Sequence, residues 1–184
     1  MEINIKKSKG KLKVSFKDTT TQFVNALRRI MVGEIPISAI EEVYIKDNNS
    51  VLQDEILAHR LGFIPIKGEG TLKLNVKGPK IVNSDNLETI EGDVQTTNKN
   101  IPIVELLNKQ NIDLTAKTSI GLGKDHAKWQ PAIVGYEYKN PKEITLKIES
   151  CSALTEEEIL KKSLEILKNK TAEFKAEISK YKSL

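Results

Sequence analysis

A heptad pattern near the end of the chain constrains the fold more than any other feature. Thr155 and Glu158 have the spacing of a capping box, which predicts the first turn of a helix that runs to Tyr181. Steps of four and three residues separate the positions of its apolar seam, which are Leu160, Leu164, Leu167, Thr171, Phe174, Ile178 and Tyr181. Such a seam stays against another helix over several turns. A helix of about 26 residues is about 39 Å long, roughly twice the usual length, so we expect something outside this chain to cover part of it.

A second amphipathic helix is predicted within residues 19–36. Thr19 and Gln22 form another capping-box pair, Gly33 suits the left-handed position after the last turn, and Pro36 prevents continuation. The apolar side carries Phe23, Val24, Ala26, Leu27, Ile30 and Met31, and the opposite side carries Asn25, Arg28, Arg29 and Val32. One side is therefore expected to be buried, and the other presents two neighbouring guanidinium groups.

Strand signals surround these two helices. Alternating apolar residues on either side of residues 8–10 predict a β-hairpin, and residues 133–138 and 144–148 predict two strands before the long helix. Between them the pattern predicts a sheet, a short helix at residues 50–62 and a brief helix at residues 101–107. This order of elements indicates an α+β fold.

Charge and composition exclude several classes of protein. In 184 residues, 29 Lys and Arg against 25 Asp and Glu give a net charge of +4, too small to indicate nucleic-acid binding by itself. Cys151 is the single cysteine, so an internal disulfide is excluded, and His59 and His126 do not complete a zinc ligand set. The sequence shows no signal core and no apolar run of about 20 residues. We therefore expect a soluble, cytoplasmic protein without a membrane partner or direct DNA contact.

The sequence offers little evidence of catalysis. The loop at residues 119–130 contains glycines but lacks the glycine spacing and the following Ser or Thr of a phosphate-binding loop. Nothing around Cys151, His59 or His126 has the local signature of a nucleophile, so no catalytic residue is assigned. Trp129, the single tryptophan, fits either a core or an anchor at a partner surface.

Three motifs together resemble one protein family. They are FVNALRRIMVGEIP at residues 23–36, NNSVLQDEILAHRLGFIPI at residues 48–66 and GLGKDHAKWQPA at residues 121–132. In this order, and with the terminal helix, they resemble the family of the archaeal RNA polymerase D subunit, the counterpart of bacterial alpha and of the third-largest subunit of eukaryotic polymerase II. The similarity covers nearly the whole chain.

The resemblance implies a discontinuous architecture and a function in assembly. Residues 1–46 and 144–184 would form a dimerisation domain of a sheet and two helices, and residues 47–143 would form a mostly-β inserted domain. The implied partner is small subunit L, with further contacts to small subunits N and P and to the second-largest catalytic subunit. The chain would then be an assembly platform of a DNA-directed RNA polymerase, with no catalytic residue and no cofactor of its own. A self-associating scaffold or a nucleic-acid-binding module outside the polymerase is the alternative.

Two sets of residues are the candidate partner-binding sites. For pairing with subunit L, the apolar stripes and the resemblance indicate Phe23, Leu27, Ile30, Met31, Leu160, Leu164, Leu167, Phe174 and Ile178. For docking of the catalytic subunit, the polar side of the first helix, the glycine-rich loop and the resemblance indicate Arg28, Arg29, His126, Lys128 and Trp129. In the alternative interpretation the arginines are solvated, and Trp129 closes the core of the inserted domain.

Metal content gives a direct test of this interpretation. Some family members carry cysteines after the position of residues 64–66 or an iron–sulfur module before the last helix, but this sequence has no room for either. The purified protein is expected to contain no stoichiometric zinc or iron, because such sites need three or four ligands and the chain offers one Cys and two His. Elemental analysis measures the metal content. A stoichiometric amount of either metal that survives chelation would contradict the prediction.

Overall fold

The computed structural model describes residues 1–8, 10–140 and 143–181. Its helices and strands follow in the order β1 (Glu2–Ser8), β2 (Lys11–Lys17), α1 (Thr21–Gly33), β3 (Ile37–Asn48), α2 (Asp54–Gly62), β4 (Ile66–Lys77), β5 (Lys80–Asn83), β6 (Glu88–Thr96), β7 (Pro102–Leu106), β8 (Asn111–Gly121), β9 (Ala132–Asn140), β10 (Glu143–Ser150) and α3 (Glu156–Tyr181). Single 3₁₀ turns lie at Ser84–Asn86 and Ala127–Trp129. The α+β class predicted from the sequence is confirmed.

The chain divides into two compact units. One contains Met1–Pro36 and Leu122–Leu184, and the other contains Ile37–Gly121. We call them the discontinuous unit and the central unit.

These divisions lie at other positions than the boundaries expected from the sequence. Residues 37–46 belong to the central unit, because β3 pairs with β8 from Ile37 onwards. Residues 122–143 belong to the discontinuous unit, which contains β9 paired with β10. The expected boundaries followed local turn signals at residues 47–49 and 140–141, whereas the observed division follows strand pairing between distant segments. Residue 141 lies outside the described residues.

The discontinuous unit contains a four-stranded antiparallel sheet in the order β1-β2-β10-β9. Side chains alternate between its two faces. One face carries the buried apolar residues of the two central strands, which are Leu12, Val14 and Phe16 from β2 and Ile144, Leu146 and Ile148 from β10. Helix α1 packs against β9 and β10, α3 packs against β2 and β10, and the two helices pack against each other. We call this face the helix side of the sheet.

The predicted hairpin and the predicted start of the long helix are both confirmed. β1 and β2 are paired in antiparallel register, and Gly10 adopts a φ of +71° in the turn, next to residue 9, which is outside the described residues. At the start of α3, the Thr155 amide donates to the Glu158 carboxylate at 2.7 Å, and the Glu158 amide donates to the Thr155 hydroxyl at 3.3 Å. These reciprocal bonds satisfy two backbone donors that the helix leaves open.

The ends of α1 differ from the prediction. The hydroxyl of Thr20, one residue after the expected cap, accepts a hydrogen bond from the Phe23 amide at 3.4 Å. Gly33 is part of the helix, and the Glu34 amide donates to the Ile30 carbonyl at 3.0 Å. The last turn is therefore closed by an ordinary helical bond and needs no left-handed glycine.

The central unit is mostly β. Strands β3, β8, β4 and β6 form an antiparallel sheet in this order, β5 pairs with β7, and α2 packs against β3 and β7. The side chains of Leu57, Leu61, Leu74 and Ile112 are among the buried residues of its core. The brief helix expected at residues 101–107 is wrong, because this segment forms β7. Pro102 fits there as the first residue of a strand, where no ladder amide is required.

The glycine-rich loop that precedes β9 packs onto the end of α1. The Lys124 amide donates to the Gly33 carbonyl at 3.0 Å. A Cβ atom at Gly123 would overlap the carbonyl oxygen of Val32 and would lie 3.1 Å from the Cα of Gln130. Glycine at residue 123 therefore allows the loop and the helix to approach closely.

Substitution of this glycine tests the close approach. Gly123→Ala is expected to lower the free energy of unfolding by about 1–3 kcal/mol, because the added methyl group forces the loop and the helix apart. Urea unfolding measures the change. Gly135→Ala in β9 is the matched control, since its Cβ meets no atom within 4 Å, and we expect a change below about 0.5 kcal/mol. Equal stabilities of the two variants would contradict this close packing of the loop on the helix.

Candidate partner-binding surfaces

Helix α3 uses one narrow side to pack within its own unit. Ile159 and Ser163 are buried, and the Ser163 hydroxyl donates to the Leu160 carbonyl at 2.7 Å, so the buried hydroxyl is satisfied. Lys170 forms an ion pair with Glu34 after the last turn of α1. Every residue of the segment 168–181 is exposed. The unit therefore buries only part of the first half of this helix.

The predicted seam of α3 lies beside this packed side. Because successive helical residues are about 100° apart, the seam is centred about 70° around the helix from the side of Ile159 and Ser163. Leu160 and Leu167 are partly buried, whereas Leu164, Phe174 and Ile178 are 45%, 67% and 43% exposed. An apolar strip of this length on an exposed helix is typical of an interaction surface.

The apolar side of α1 is buried within the discontinuous unit. Leu27, Ile30 and Met31 are 0%, 4% and 0% exposed, and their helix packs on β9, β10 and α3. Phe23 is partly buried, and its ring meets the ring of Phe16 edge-on, with 6.4 Å between centroids. Leu27, Ile30 and Met31 are thus part of the core of their own unit, and their contact with a partner stays a prediction.

His126, Lys128 and Trp129 form one cluster in the loop before β9. The rings of His126 and Trp129 meet edge-on at 6.4 Å, and the Lys128 ammonium lies 4.5 Å from the centre of the Trp129 ring. The Lys128 amide also donates to His126 Nδ1 at 3.1 Å. Trp129 is partly buried and belongs to the discontinuous unit. The core residues of the central unit do not include it.

The two arginines of α1 have different surroundings. Arg28 is partly buried; its Nε donates to the Asn25 side chain at 3.2 Å, and its guanidinium group lies 5.9 Å from the centre of the Tyr136 ring. Arg29 is exposed. Tyr136 in turn meets Tyr138 edge-on at 5.7 Å. These contacts join Arg28 to β9, while the three loop residues form a separate cluster.

The tyrosines of β9 are surface residues that sequence reasoning missed. Tyr136 lies opposite Leu146 and Tyr138 lies opposite Ile144, so both face the helix side of the sheet. About half of each side chain is nevertheless exposed. The alternation of apolar and polar residues in this segment was visible in the sequence. Only the strand order shows that β9 is an edge strand, and this position leaves the rings uncovered.

The glycine-rich loop uses backbone amides for its own structure. The Asp125 and His126 amides donate to the Leu122 carbonyl at 2.9 and 3.4 Å. A phosphate-binding loop instead directs consecutive amides at its ligand. Within the described ranges, no three side chains of His, Cys, Asp or Glu are close enough together to hold a metal ion. In the same ranges, no helix is both long enough and apolar enough to span a membrane.

The chain is similar to known proteins over most of its length. The family model described as the RNA polymerase Rpb3/Rpb11 dimerisation domain matches residues 13–171. The DNA-directed RNA polymerase subunit Rpo3 of Methanocaldococcus jannaschii is 45% identical over 159 residues, which cover 83% of this chain and 82% of that protein. The Rpo3 subunits of Pyrococcus furiosus and Thermococcus kodakarensis are 40% and 39% identical over 149 residues, which cover 73% of this chain but only 57% and 58% of those proteins. The chain thus spans less than two thirds of the length of the last two relatives. Since the family match extends over most of the chain, the protein belongs to the RNA polymerase Rpb3/Rpb11 dimerisation-domain family.

Proposed function

We propose that this protein is a non-catalytic assembly subunit of a DNA-dependent RNA polymerase, which pairs with small subunit L to form the platform for the catalytic subunits. Membership of a dimerisation-domain family and relatives named as polymerase subunits support the assembly function. As an archaeal-type polymerase subunit it would act in the cytoplasm. Small subunits N and P and the second-largest catalytic subunit are the further proposed partners.

The exposed seam of α3 is the observation that carries the pairing proposal. Leu164, Phe174 and Ile178 keep a heptad spacing over about 21 Å of helix at 1.5 Å per residue, and no described part of the discontinuous unit buries them. Burial of apolar area contributes about 25 cal/mol per Å². A partner helix along the seam therefore stabilises the pair, whereas continued exposure of this strip favours non-specific association.

A second candidate function uses the same seam in another way. A heptad seam can pair with the same seam of a second copy, so a self-associating scaffold is the alternative function. A nucleic-acid-binding module outside the polymerase is the other form of this alternative. The mass of the purified chain, alone and after co-expression with subunit L, separates the two functions. A stable homodimer that is indifferent to subunit L would favour the alternative.

Substitution within the seam tests the proposed pairing. Leu164→Glu is expected to abolish co-purification with subunit L, because a carboxylate buried in an apolar interface without a partner costs several kcal/mol. The chain itself should keep its thermal unfolding transition, since Leu164 is 45% exposed. Co-expression followed by affinity purification and size-exclusion chromatography measures the pairing.

A charge change elsewhere on α3 is the matched control. Lys161 is exposed and lies about 100° around the helix from the seam, on the side away from the core. Lys161→Glu adds the same carboxylate and should leave pairing intact. If Leu164→Glu co-purifies with subunit L as well as Lys161→Glu does, the interface lies elsewhere.

The residues proposed for docking of the catalytic subunit give a separate prediction. Arg28→Ala combined with Trp129→Ala should leave the chain folded and paired with subunit L, because neither side chain is fully buried. Recruitment of the second-largest catalytic subunit should weaken by at least about 2 kcal/mol, or about thirtyfold, since arginine and tryptophan are enriched at the energetic centres of interfaces. Thermal unfolding and a quantitative pull-down measure the two effects side by side.

The control for the docking prediction removes an exposed aromatic residue and an exposed cation from the central unit. Tyr44 and Lys46 in β3 meet both conditions. Tyr44→Ala with Lys46→Ala should recruit the catalytic subunit like the wild type. Loss of the folding transition in the Arg28 and Trp129 double variant would show that Trp129 is structural. Normal recruitment by this variant would show that the surface does not bind the catalytic subunit.

A further inference from the structure

Strand β1 has an apolar face that the discontinuous unit leaves uncovered. It is an edge strand, paired on one side with β2, and all seven of its residues are exposed. Ile3 and Ile5 are 52% and 54% exposed, although large aliphatic residues are normally buried. The residues between and beside them, Glu2, Asn4, Lys6 and Ser8, are polar. Because both faces of β1 are exposed, packing within the unit does not explain why apolar and polar residues alternate along this strand.

Strand register places these two isoleucines on the helix side of the sheet. Ile3 lies opposite Phe16 and Ile5 lies opposite Val14 in β2. Residues directly opposite each other in an antiparallel pair point to the same face. Phe16 and Val14 are buried on the helix side. The apolar surface of the sheet thus continues from β2 onto β1, beyond the area that the two helices cover.

The end of β1 contacts the start of α3 through an ion pair. The Lys7 ammonium donates to the Glu157 carboxylate at 2.8 Å and lies 3.8 Å from the Glu156 carboxylate. The hydrogen bond between them raises the pKa of Lys7 and lowers the pKa of Glu157. Lys7 lies opposite Leu12 and is therefore on the helix side as well. The uncovered isoleucines and the helix that carries the seam share one face of one unit.

We infer that Ile3 and Ile5 are part of the partner-binding surface, where apolar side chains of subunit L cover them together with the seam of α3. This inference rests on the proposed pairing with subunit L and extends it to a strand outside the matched family range, which begins at residue 13. Continuity of apolar surface is its basis, because a partner that covers only α3 would leave two aliphatic side chains in water on the same face. The polar residues on the opposite face of β1 stay in solvent and discourage edge-to-edge association.

Substitutions of equal shape isolate the apolar contribution of these residues. Ile3→Val with Ile5→Val keeps branched apolar side chains, whereas Ile3→Thr with Ile5→Thr has nearly the same shape but replaces one methyl group of each valine with a hydroxyl. Both pairs retain strand propensity, so the edge strand should persist. The full chain is titrated with purified subunit L by isothermal calorimetry. We expect the valine variant to bind within about threefold of wild type and the threonine variant to bind at least about tenfold more weakly.

Ile133→Thr is the matched control on the opposite face of the same sheet. Ile133 is 59% exposed and lies opposite Glu149, and its substitution should change the affinity by less than about twofold. Thermal unfolding of each variant alone should be unchanged, because all the substituted side chains are exposed. A threonine variant that binds subunit L like the valine variant would overturn the inference and leave the pairing proposal standing. A wild-type chain that does not bind subunit L would overturn both the inference and the pairing proposal. Both would also be overturned if the chain self-associates in the absence of subunit L and if the threonine variant, but not the valine variant, prevents that self-association.

Discussion

The packing of α3 on its sheet through one narrow side is the interaction on which the other surfaces depend. Ile159 and Ser163 are buried there, and the small serine satisfies its own hydroxyl within the helix, so the helix approaches the core closely. This buried side lies in the first half of the 26-residue helix and covers only a fraction of its circumference. The seam through Leu164, Phe174 and Ile178 is thereby held outward in a fixed orientation. A seam presented on an anchored helix binds a partner at a lower entropic cost than a flexible one.

The width of the sheet has a second consequence. The two helices cover the central strands β2 and β10 and part of the edge strand β9, so the rest of β9 and the other edge strand, β1, remain uncovered on the same side. One edge carries Ile3 and Ile5, and the other carries Tyr136 and Tyr138, next to Arg28. The apolar edge extends the surface proposed for subunit L. The aromatic and cationic edge instead has the composition of a docking surface, in which arginine and tyrosine are common.

The two helices differ in how they use their apolar stripes. The apolar stripe of α1 is buried in the core of its unit, where Leu27, Ile30 and Met31 are covered and the helix packs on β9, β10 and α3. The polar side of α1 lies outside this core, and on it Arg28 contacts the Asn25 side chain and the ring of Tyr136. The neighbouring loop reaches the end of the same helix through Gly123, whose missing side chain permits the contact. The proposed assembly function would thus divide between apolar pairing through α3 and polar docking near α1.

Local pattern was sufficient for a large part of this protein. The heptad and the capping box at Thr155 predicted α3 from its first turn to Tyr181, the alternation around residues 8–10 predicted the hairpin, and three motifs indicated the family. These features depend on neighbours within a few residues or on the order of motifs, so a single sequence contains them. Tertiary structure was needed for the burial of the α1 stripe, the positions at which the units divide, and the exposure of Ile3, Ile5 and the β9 tyrosines. Each of these depends on which distant strand or helix lies alongside, and periodicity shows that a residue is apolar without showing whether its own chain has enough structure to cover it.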